Sequence, residues 1–284
     1  MGVLNVTPDS FSDGGNFIAT ADALAQAKLL IEQGANIIDI GGESTRPGAE
    51  RVELALEQER VVPVIRALLA ADWFIASGAK ISVDTMNSAT AAAAIAAGAN
   101  IINDVSGGLA DPAMHRTVVA AASAKGSQVQ YVLSHWRGFS DHMDTLAQYQ
   151  DVARDVVAEL AEQVAIAVAA GLSREQLVVD PGLGFAKDLA QNWELVARLD
   201  ELEKLGLPVL VGASRKRFLA GVLEPADPAS VSNQRRDLAT AVLTALLLQR
   251  PLWGVRVHNV QSTADAIALV EALKVAGEPK AGQS

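Results

Sequence analysis

The sequence predicts a single-domain (β/α)8 TIM barrel, on three observations. Eight short runs rich in Val, Ile and Leu alternate with eight longer stretches rich in Ala and Leu, within a chain of 284 residues. Most of the short runs are continuously apolar, as in strands whose two faces are both covered. No G-x-G-x-x-G follows the first run, which favours a closed barrel over an open, doubly wound sheet.

The predicted strands end in polar residues or glycine. In chain order they are Met1–Val6, Asn36–Gly41, Lys80–Asp84, Asn100–Val105, Gln128–Leu133, Gln176–Asp180, Leu207–Gly212 and Trp253–Val257. The predicted helices follow at 20–33, 51–71, 87–97, 111–125, 148–170, 190–204, 230–249 and 262–276. A weak repeat supports this order, because "EQGANIIDI" and "AAGANIIND" both run from a helix end through Gly-Ala into a strand. We predict one barrel domain over 1–276 and a flexible tail over 277–284.

Composition narrows the class of protein. Half of the residues are hydrophobic and the formal net charge is -10, so the surface does not favour nucleic acid or an anionic membrane. The chain has no cysteine, which excludes disulfides and thiolate metal sites. No apolar run is long enough for a transmembrane helix. A cytoplasmic, acidic, globular protein is the expectation.

Every predicted strand ends in polar side chains. In chain order these ends are Asn5, "GGESTRPG", Asp84, Asn103, "SHWRG", "DPGLGF", "GASRKRF" and "RVHN". Active sites of such barrels lie at the carboxyl ends of the strands. The sequence therefore predicts an active site at that end.

Some of these residues have plain structural alternatives. Asp84 could cap the following helix, although Asn87 and Ser88 are better placed to do so. Asn103 could be a turn residue. Arg256 and His258 alternate along strand 8 and so share one face. Two basic residues that point into a barrel need an anionic partner.

The candidate residues form two chemical sets. The cationic and neutral set suits a phosphate or diphosphate: Asn5, Thr45, Arg46, Lys216, Arg256 and His258. Asn5 could also hold Mg²⁺, which prefers oxygen ligands and keeps most of its waters. The anionic and amide set, Asp84, Asn103 and Asp180, suits a flat nitrogen heterocycle with adjacent N–H donors.

Seven motifs together resemble the dihydropteroate synthase family, the folate-pathway enzymes that sulfonamides target. They are "GVLNVTPDSFSDGG", "DIGGESTRPGA", "ISVDT", "IINDVSGG", "VDPGLGFAK", "LVGASRKRF" and "VRVHNV", in order from residue 2 to about residue 260. The resemblance implies a transferase that condenses (7,8-dihydropterin-6-yl)methyl diphosphate with 4-aminobenzoate, giving 7,8-dihydropteroate and diphosphate. It also implies Mg²⁺ as cofactor and a homodimer through outer helices.

The resemblance implies roles for individual residues. The pterin-binding set is Asp84, Asn103, Asp180 and Lys216. The diphosphate-binding set is Asn5, Thr45, Arg46, Arg256 and His258, with Asn5 as the metal ligand. The aminobenzoate pocket is formed by Phe11, Pro47, Phe185, Lys216 and Arg217. The catalytic set is Asp84, Asp180, Lys216, Arg256 and His258. Two loops, 7–15 and 43–48, are expected to order over the substrates in an SN1-like reaction.

Three positions depart from the family pattern. Asn259 stands where Asp is usual, Ser134 where Met is common, and Arg217 where Ser is frequent. Two alternatives therefore stay open. One is a pterin-binding paralogue without catalytic activity, and Asn259 is the feature that favours it. The other is a barrel similar to a methyltetrahydrofolate methyltransferase, which would not need "STRPG" or "SRKR".

Overall fold

The computed structural model describes residues 1–7, 16–43, 52–126, 128–139 and 143–277. Strands and helices alternate through these residues. The strands are β1 Gly2–Asn5, β2 Ile37–Gly41, β3 Lys80–Asp84, β4 Ile101–Asp104, β5 Gln130–Ser134, β6 Leu177–Asp180, β7 Leu210–Val211 and β8 Gly254–Val255. The helices are α1 Asn16–Glu32, α2 Leu54–Leu69, α3 Asp72–Ser77, α4 Ser88–Ala97, α5 Met114–Lys125, α6 Val152–Ala169, α7 Leu189–Ala197, α8 Arg217–Leu223, α9 Asn233–Leu247 and α10 Val260–Gly277.

All strand pairs are parallel and run in sequence order. The first six form one sheet, β7 and β8 form a second, and two isolated parallel bridges join the sheets. One bridge pairs Val179 with Val209, and the other pairs Gly2 with Val257. At the latter, the Val3 N–H donates to the Val257 carbonyl at 3.0 Å. The strands therefore close into an eight-stranded barrel, as predicted.

Apolar side chains fill the lumen below the polar strand ends. Ile101, Val132, Val178 and Leu210 are fully buried and pack together. Ile101 lies two residues before Asn103, and Val178 lies two residues before Asp180, so each apolar residue shares a face with a polar one. This layer is the floor on which the polar site rests. Burying each such side chain contributes roughly 1.5–3 kcal/mol.

The elements differ from the predicted pattern in three places. The helix predicted over 51–71 is α2 and ends at Leu69, and a short helix that was not predicted, α3, follows it over Asp72–Ser77. Arg217 and Phe218, predicted as part of a strand-end loop, instead open the short helix α8, which Lys216 precedes. The predicted helix 190–204 ends as α7 at Ala197 and continues as a 3-10 helix over Leu199–Leu205. Along the part of the chain that the structure describes, no helix is both long and apolar enough to cross a membrane.

Candidate active site

A cavity of about 860 Å³ opens at the carboxyl ends of the strands. Its lining includes every predicted site residue that the structure describes: Asn5, Asp84, Asn103, Asp180, Phe185, Lys216, Arg217, Arg256 and His258. The other four, Phe11, Thr45, Arg46 and Pro47, lie outside the described residues. The fold therefore brings residues from six strands and their loops to one cavity.

Arg256 lies between two carboxylates inside the barrel. Its Nε donates to Asp39 Oδ2 at 2.6 Å, and its Nη2 donates to Asp84 Oδ2 at 2.7 Å. Asp39 is fully buried, and it also accepts a hydrogen bond from Asn103 Nδ2 at 3.2 Å. The expectation of an anionic partner for the inward arginine is confirmed, and both partners belong to the protein itself.

Two carboxyl groups share one guanidinium in this cluster. Burial raises the pKa of Asp84 to about 7, although Arg256 opposes the shift. Burial alone would lower the pKa of Arg256, but Asp39 and Asp84 outweigh it and raise that pKa above the ordinary value. Arg256 therefore stays charged and holds both carboxylates in fixed positions.

Asp180 ends β6 and faces the same cavity. Its Oδ1 accepts the Gly182 N–H at 2.7 Å, which closes the turn after the strand. Gly182 has a φ of 66°, and a Cβ there would lie 2.1 Å from the His135 carbonyl oxygen, so only glycine fits. Burial raises the pKa of Asp180, opposed by the Gly182 N–H and by Lys216.

Lys216 and Phe185 form one wall of the cavity. The Lys216 Nζ lies 3.9 Å from the centre of the Phe185 ring, within the range of a cation–π contact. The Lys216 stem runs past Gly184, where a Cβ would come within 2.8 Å of Lys216 Cδ. Burial lowers the pKa of Lys216 to about 8, and Arg256 adds to this.

The turn after β7 is fixed from behind by α9. Arg215 has a positive φ of 58°, unusual for a residue with a side chain. Its guanidinium donates through Nε and Nη2 to the two carboxylate oxygens of Asp237, both at 2.7 Å. In the same turn, Ser214 Oγ lies 2.9 Å from His258 Nδ1. The strained turn thereby presents Lys216 to the cavity and positions His258.

The turn after β3 is fixed by a buried carboxylate on α2. Glu57 accepts hydrogen bonds from Thr85 Oγ1, Asn87 Nδ2 and Thr90 Oγ1, at 2.6, 2.7 and 2.6 Å. The expected capping of α4 by the Asn87 side chain is therefore wrong. The cap comes instead from Asp111, whose Oδ2 accepts the backbone N–H of Ser88 at 2.8 Å. Glu57 thus holds the backbone that follows Asp84.

Asp39 and Lys187 are buried at the site although neither is a predicted site residue. Asp39 stands within the apolar run "NIIDIGG", where a charge is costly unless it is paired. That rule was a usable signal for Asp39. Lys187 ends the motif "VDPGLGFAK", and nothing in its local sequence indicates that its side chain turns inward.

The cavity offers few ligands for a metal ion. Across the described ranges, no three side chains of His, Cys, Asp or Glu are grouped to hold one. Asn5 lines the cavity, and its Oδ1 would lie 3.5 Å from a Cβ placed on Gly41. One amide oxygen is a fitting ligand for Mg²⁺ that takes its other ligands from water and a diphosphate.

The chain matches known proteins over almost its whole length. The family described as "Pterin binding enzyme" matches residues 1–258. Dihydropteroate synthase of Mycobacterium leprae is 46% identical over 278 residues, covering 98% of this chain and 94% of that protein. The chain belongs to the dihydropteroate synthase family of pterin-binding enzymes. The predictions of family and function are thereby confirmed, and the relatives favour a transferase.

Solved structures of this family share the fold. Xanthomonas albilineans dihydropteroate synthase, solved with 4-aminobenzoic acid, superposes with a TM-score of 0.84 and 39% identity, over 98% of this chain and 93% of that one. The Yersinia pestis enzyme in a sulfonamide complex gives a TM-score of 0.84 and 36% identity, over 97% and 94%. The predicted barrel is confirmed.

Asn259, the main departure from the dihydropteroate synthase pattern, has a structural role. Its Oδ1 accepts the Ser262 N–H at 3.0 Å at the start of α10. Aspartate would make the same cap, so we expect Asn259→Asp to leave kcat/KM within about twofold. Asn259→Ala should lower the free energy of unfolding by about 1 kcal/mol. Urea unfolding and steady-state kinetics check both, and a tenfold gain of activity in Asn259→Asp would contradict the structural role.

Proposed function

We propose that this cavity condenses (7,8-dihydropterin-6-yl)methyl diphosphate with 4-aminobenzoate, as a transfer of an alkyl group other than methyl. One observation carries the proposal: two aspartates, an amide, Lys216 and His258 line one cavity. A barrel with this polar set suits a heterocycle that is bound deep down and a charged leaving group nearer the rim. The family membership supports the same reaction.

The carboxylates and the amide would bind the pterin ring. Asp180 ends β6, Asp84 ends β3 and Asn103 lies near the end of β4, and all three line the same cavity. A carboxylate accepts two N–H bonds from a 2-amino-4-oxo ring edge, which fixes the ring plane. Such bonds also stabilise positive charge that develops on the ring as the leaving group departs.

The cations would stabilise the departing diphosphate. Arg256 already serves two aspartates, so we assign the larger share of this role to Lys216 and His258, together with Thr45 and Arg46 from outside the described residues. Mg²⁺ held by Asn5 would neutralise part of the diphosphate charge. Arg256 would act mainly by holding Asp84 toward the ring.

The bond changes follow from the substrates. The bond between the pterin methylene carbon and the diphosphate oxygen breaks, and its electron pair leaves with the diphosphate. The amine nitrogen of 4-aminobenzoate then forms a bond to that carbon and loses a proton. Because an aromatic amine is neutral at pH 7, no strong general base is required. The pocket must exclude water, which would otherwise capture the carbon centre.

Turnover is the direct test of this function. Purified protein with Mg²⁺, dihydropterin diphosphate and labelled 4-aminobenzoate should give labelled dihydropteroate, and omission of Mg²⁺ should suppress it. Sulfamethoxazole should compete with 4-aminobenzoate, and excess 4-aminobenzoate should relieve the inhibition. Pterin binding without any product would support instead the paralogue that lacks catalytic activity.

We also propose a homodimer, supported by exposed apolar side chains on two neighbouring helices. Leu238, Val242 and Leu246 lie four residues apart on α9 and are 61%, 52% and 63% exposed. Leu269 and Leu273 on α10 are 73% and 75% exposed. Contiguous apolar surface of this kind marks an interaction site.

Sedimentation velocity tests the dimer. We expect Leu246→Glu to convert a dimer into a monomer, because burial of an unpaired charge at an interface is costly. Ile166→Glu is the matched control, since Ile166 is 55% exposed on α6. A wild-type monomer, or dissociation caused equally by both variants, would refute the assignment. The predicted cytoplasmic location stays a prediction.

A further inference from the structure

A buried lysine with no part in the chemistry above lies beside the turn that carries Phe185 and lines the same cavity. Lys187 is 7% exposed. Its Nζ donates to the carbonyl oxygens of Gly182 and Phe185, each at 3.1 Å, and lies 2.9 Å from His135 Nδ1. An ammonium group has three N–H donors, and these three contacts use all of them.

This geometry determines where the proton of His135 lies. Because Nδ1 accepts from Lys187, the ring proton is on Nε2, which donates to Glu159 Oε2 at 3.0 Å. Burial lowers the pKa of His135 to about 4, and the positive charge of Lys187 adds to this, so the ring is neutral. Glu159 is held in turn by Arg137, whose Nε donates to Oε2 at 3.0 Å. A directed chain therefore runs from Lys187 through His135 to Glu159.

The carbonyl groups that Lys187 holds belong to the turn that carries Phe185. The Phe185 N–H donates to the Gly182 carbonyl at 3.1 Å. The next residue, Ala186, has a positive φ of 47°, and Tyr149 Oη donates to its carbonyl at 3.0 Å. A residue with a side chain adopts this conformation only when its surroundings hold it there. The position of the Phe185 ring therefore depends on side chains behind the turn.

We propose that Lys187 is a positioning residue. Held by His135 and Glu159, its ammonium group ties two carbonyl groups of the turn together and fixes the Phe185 ring where the aminobenzoate ring packs. The inference rests on the proposed function, because it assigns Phe185 to the aminobenzoate side. Lys187 acts through the wall of the pocket and not on the reacting atoms.

The charge of Lys187 makes this support depend on pH. Burial lowers its pKa to about 7, against the opposing effect of Asp180. Above that pH the group is a neutral amine, with two N–H donors for three acceptors. The turn then loses a hydrogen bond, so the KM for 4-aminobenzoate should rise as the pH rises. The charged or titratable groups around Lys187 are His135, Arg137, Tyr149, Glu159, Asp180 and Lys216.

Kinetics of Lys187→Met test the positioning role. We expect the KM for 4-aminobenzoate to rise about tenfold, while kcat and the KM for dihydropterin diphosphate stay within about threefold. Lys187→Arg keeps a charge with several donors and should recover part of the loss. An equal rise of both KM values, or a fall in kcat alone, would overturn the proposal. If Lys187→Met does not fold, Glu159→Gln provides the test.

Glu159→Gln tests the chain at a distance from the substrate. Glu159 raises the pKa of Lys187, so its loss should move the rise in KM for 4-aminobenzoate to lower pH. Lys216 also titrates in the pocket, but the charges acting on it are Arg256, Asp180 and Asp84. Glu162→Gln, an exposed position on the same helix, is the matched control and should leave the profile unchanged. An identical profile in wild type and Glu159→Gln would overturn the proposal.

Calorimetry separates this inference from the proposed function. The titration uses 4-aminobenzoate with pterin and diphosphate present, and it needs no turnover. If the wild type binds 4-aminobenzoate but makes no product, the proposed function fails, and a Kd about tenfold weaker in Lys187→Met still supports positioning. A Kd that is equal in the two proteins, or no binding by the wild type, overturns the positioning role.

Discussion

Replacement of Asp180 by Asn is expected to lower kcat/KM by at least about 100-fold, the usual cost of removing one charge-stabilising group from an active site. The amide is nearly isosteric, and its oxygen can still accept the Gly182 N–H that closes the turn. The change removes one negative charge and half of the acceptor pair offered to the pterin ring. We therefore expect weaker pterin binding in calorimetry as well as slower turnover.

Asp111→Asn is the matched control for this experiment. Asp111 caps α4 through Oδ2 and accepts the Ala113 N–H through Oδ1. Asparagine can also serve as a cap, and the residue lies outside the cavity lining. We expect kcat/KM to stay within about twofold of the wild type. If folded Asp180→Asn protein turned over at the wild-type rate, Asp180 would have no role in the reaction.

Arg256→Met is expected to be the most destabilising of the substitutions considered, by about 3–5 kcal/mol in urea unfolding. The guanidinium is the shared partner of Asp39 and Asp84, which are 0% and 7% exposed. Its removal leaves two buried carboxylates without the cation that holds them. Turnover should be lost too, because the orientation of Asp84 depends on Nη2 of Arg256.

A double-mutant cycle tests the cause of that loss. In an Asp39→Asn background a neutral amide replaces one of the two carboxylates. Arg256→Met should therefore lower the free energy of unfolding by at least about 1 kcal/mol less than it does in the wild type. The free energy of unfolding of the four proteins gives the coupling directly. Additive effects would show that the loss comes from packing of the arginine side chain and not from uncompensated charge.

The barrel was predictable because its signals are local and repeated. Continuously apolar strands followed by Ala-rich helices specify parallel strands with covered faces. The errors fall where local signals are weak or mixed. Residues 51–71 contain Pro63 within a helix and a turn near Ala71, and the apolar pattern alone does not show where α2 ends. α8 has only seven residues and directly follows a basic turn, so this helix depends on contacts with neighbouring elements.

The site was predictable as far as single residues at strand ends were concerned. All nine predicted residues that the structure describes line one cavity. The sequence could not show which charged or titratable side chains contact each other. The pairing of Arg256 with Asp39 joins residues 217 positions apart, and the contact of Lys187 with His135 joins residues 52 apart. The first pair depends on barrel closure and the second on the pairing of β5 with β6, and no local pattern records either.

The part of the site that follows β7 and β8 has its own local stability, because only two isolated bridges join these strands to the larger sheet. Asp180 stands on the six-stranded sheet, whereas Lys216 and His258 follow β7 and β8, which pair over two residues where neighbouring strands of the larger sheet pair over three to five. A cooperative unit with few ladder hydrogen bonds opens before the rest of a protein. Amide protons of β7 and β8 should thus exchange with solvent faster than those of β2 to β5. Heating would then inactivate the enzyme by local unfolding of β7 and β8 while most of the barrel remains folded.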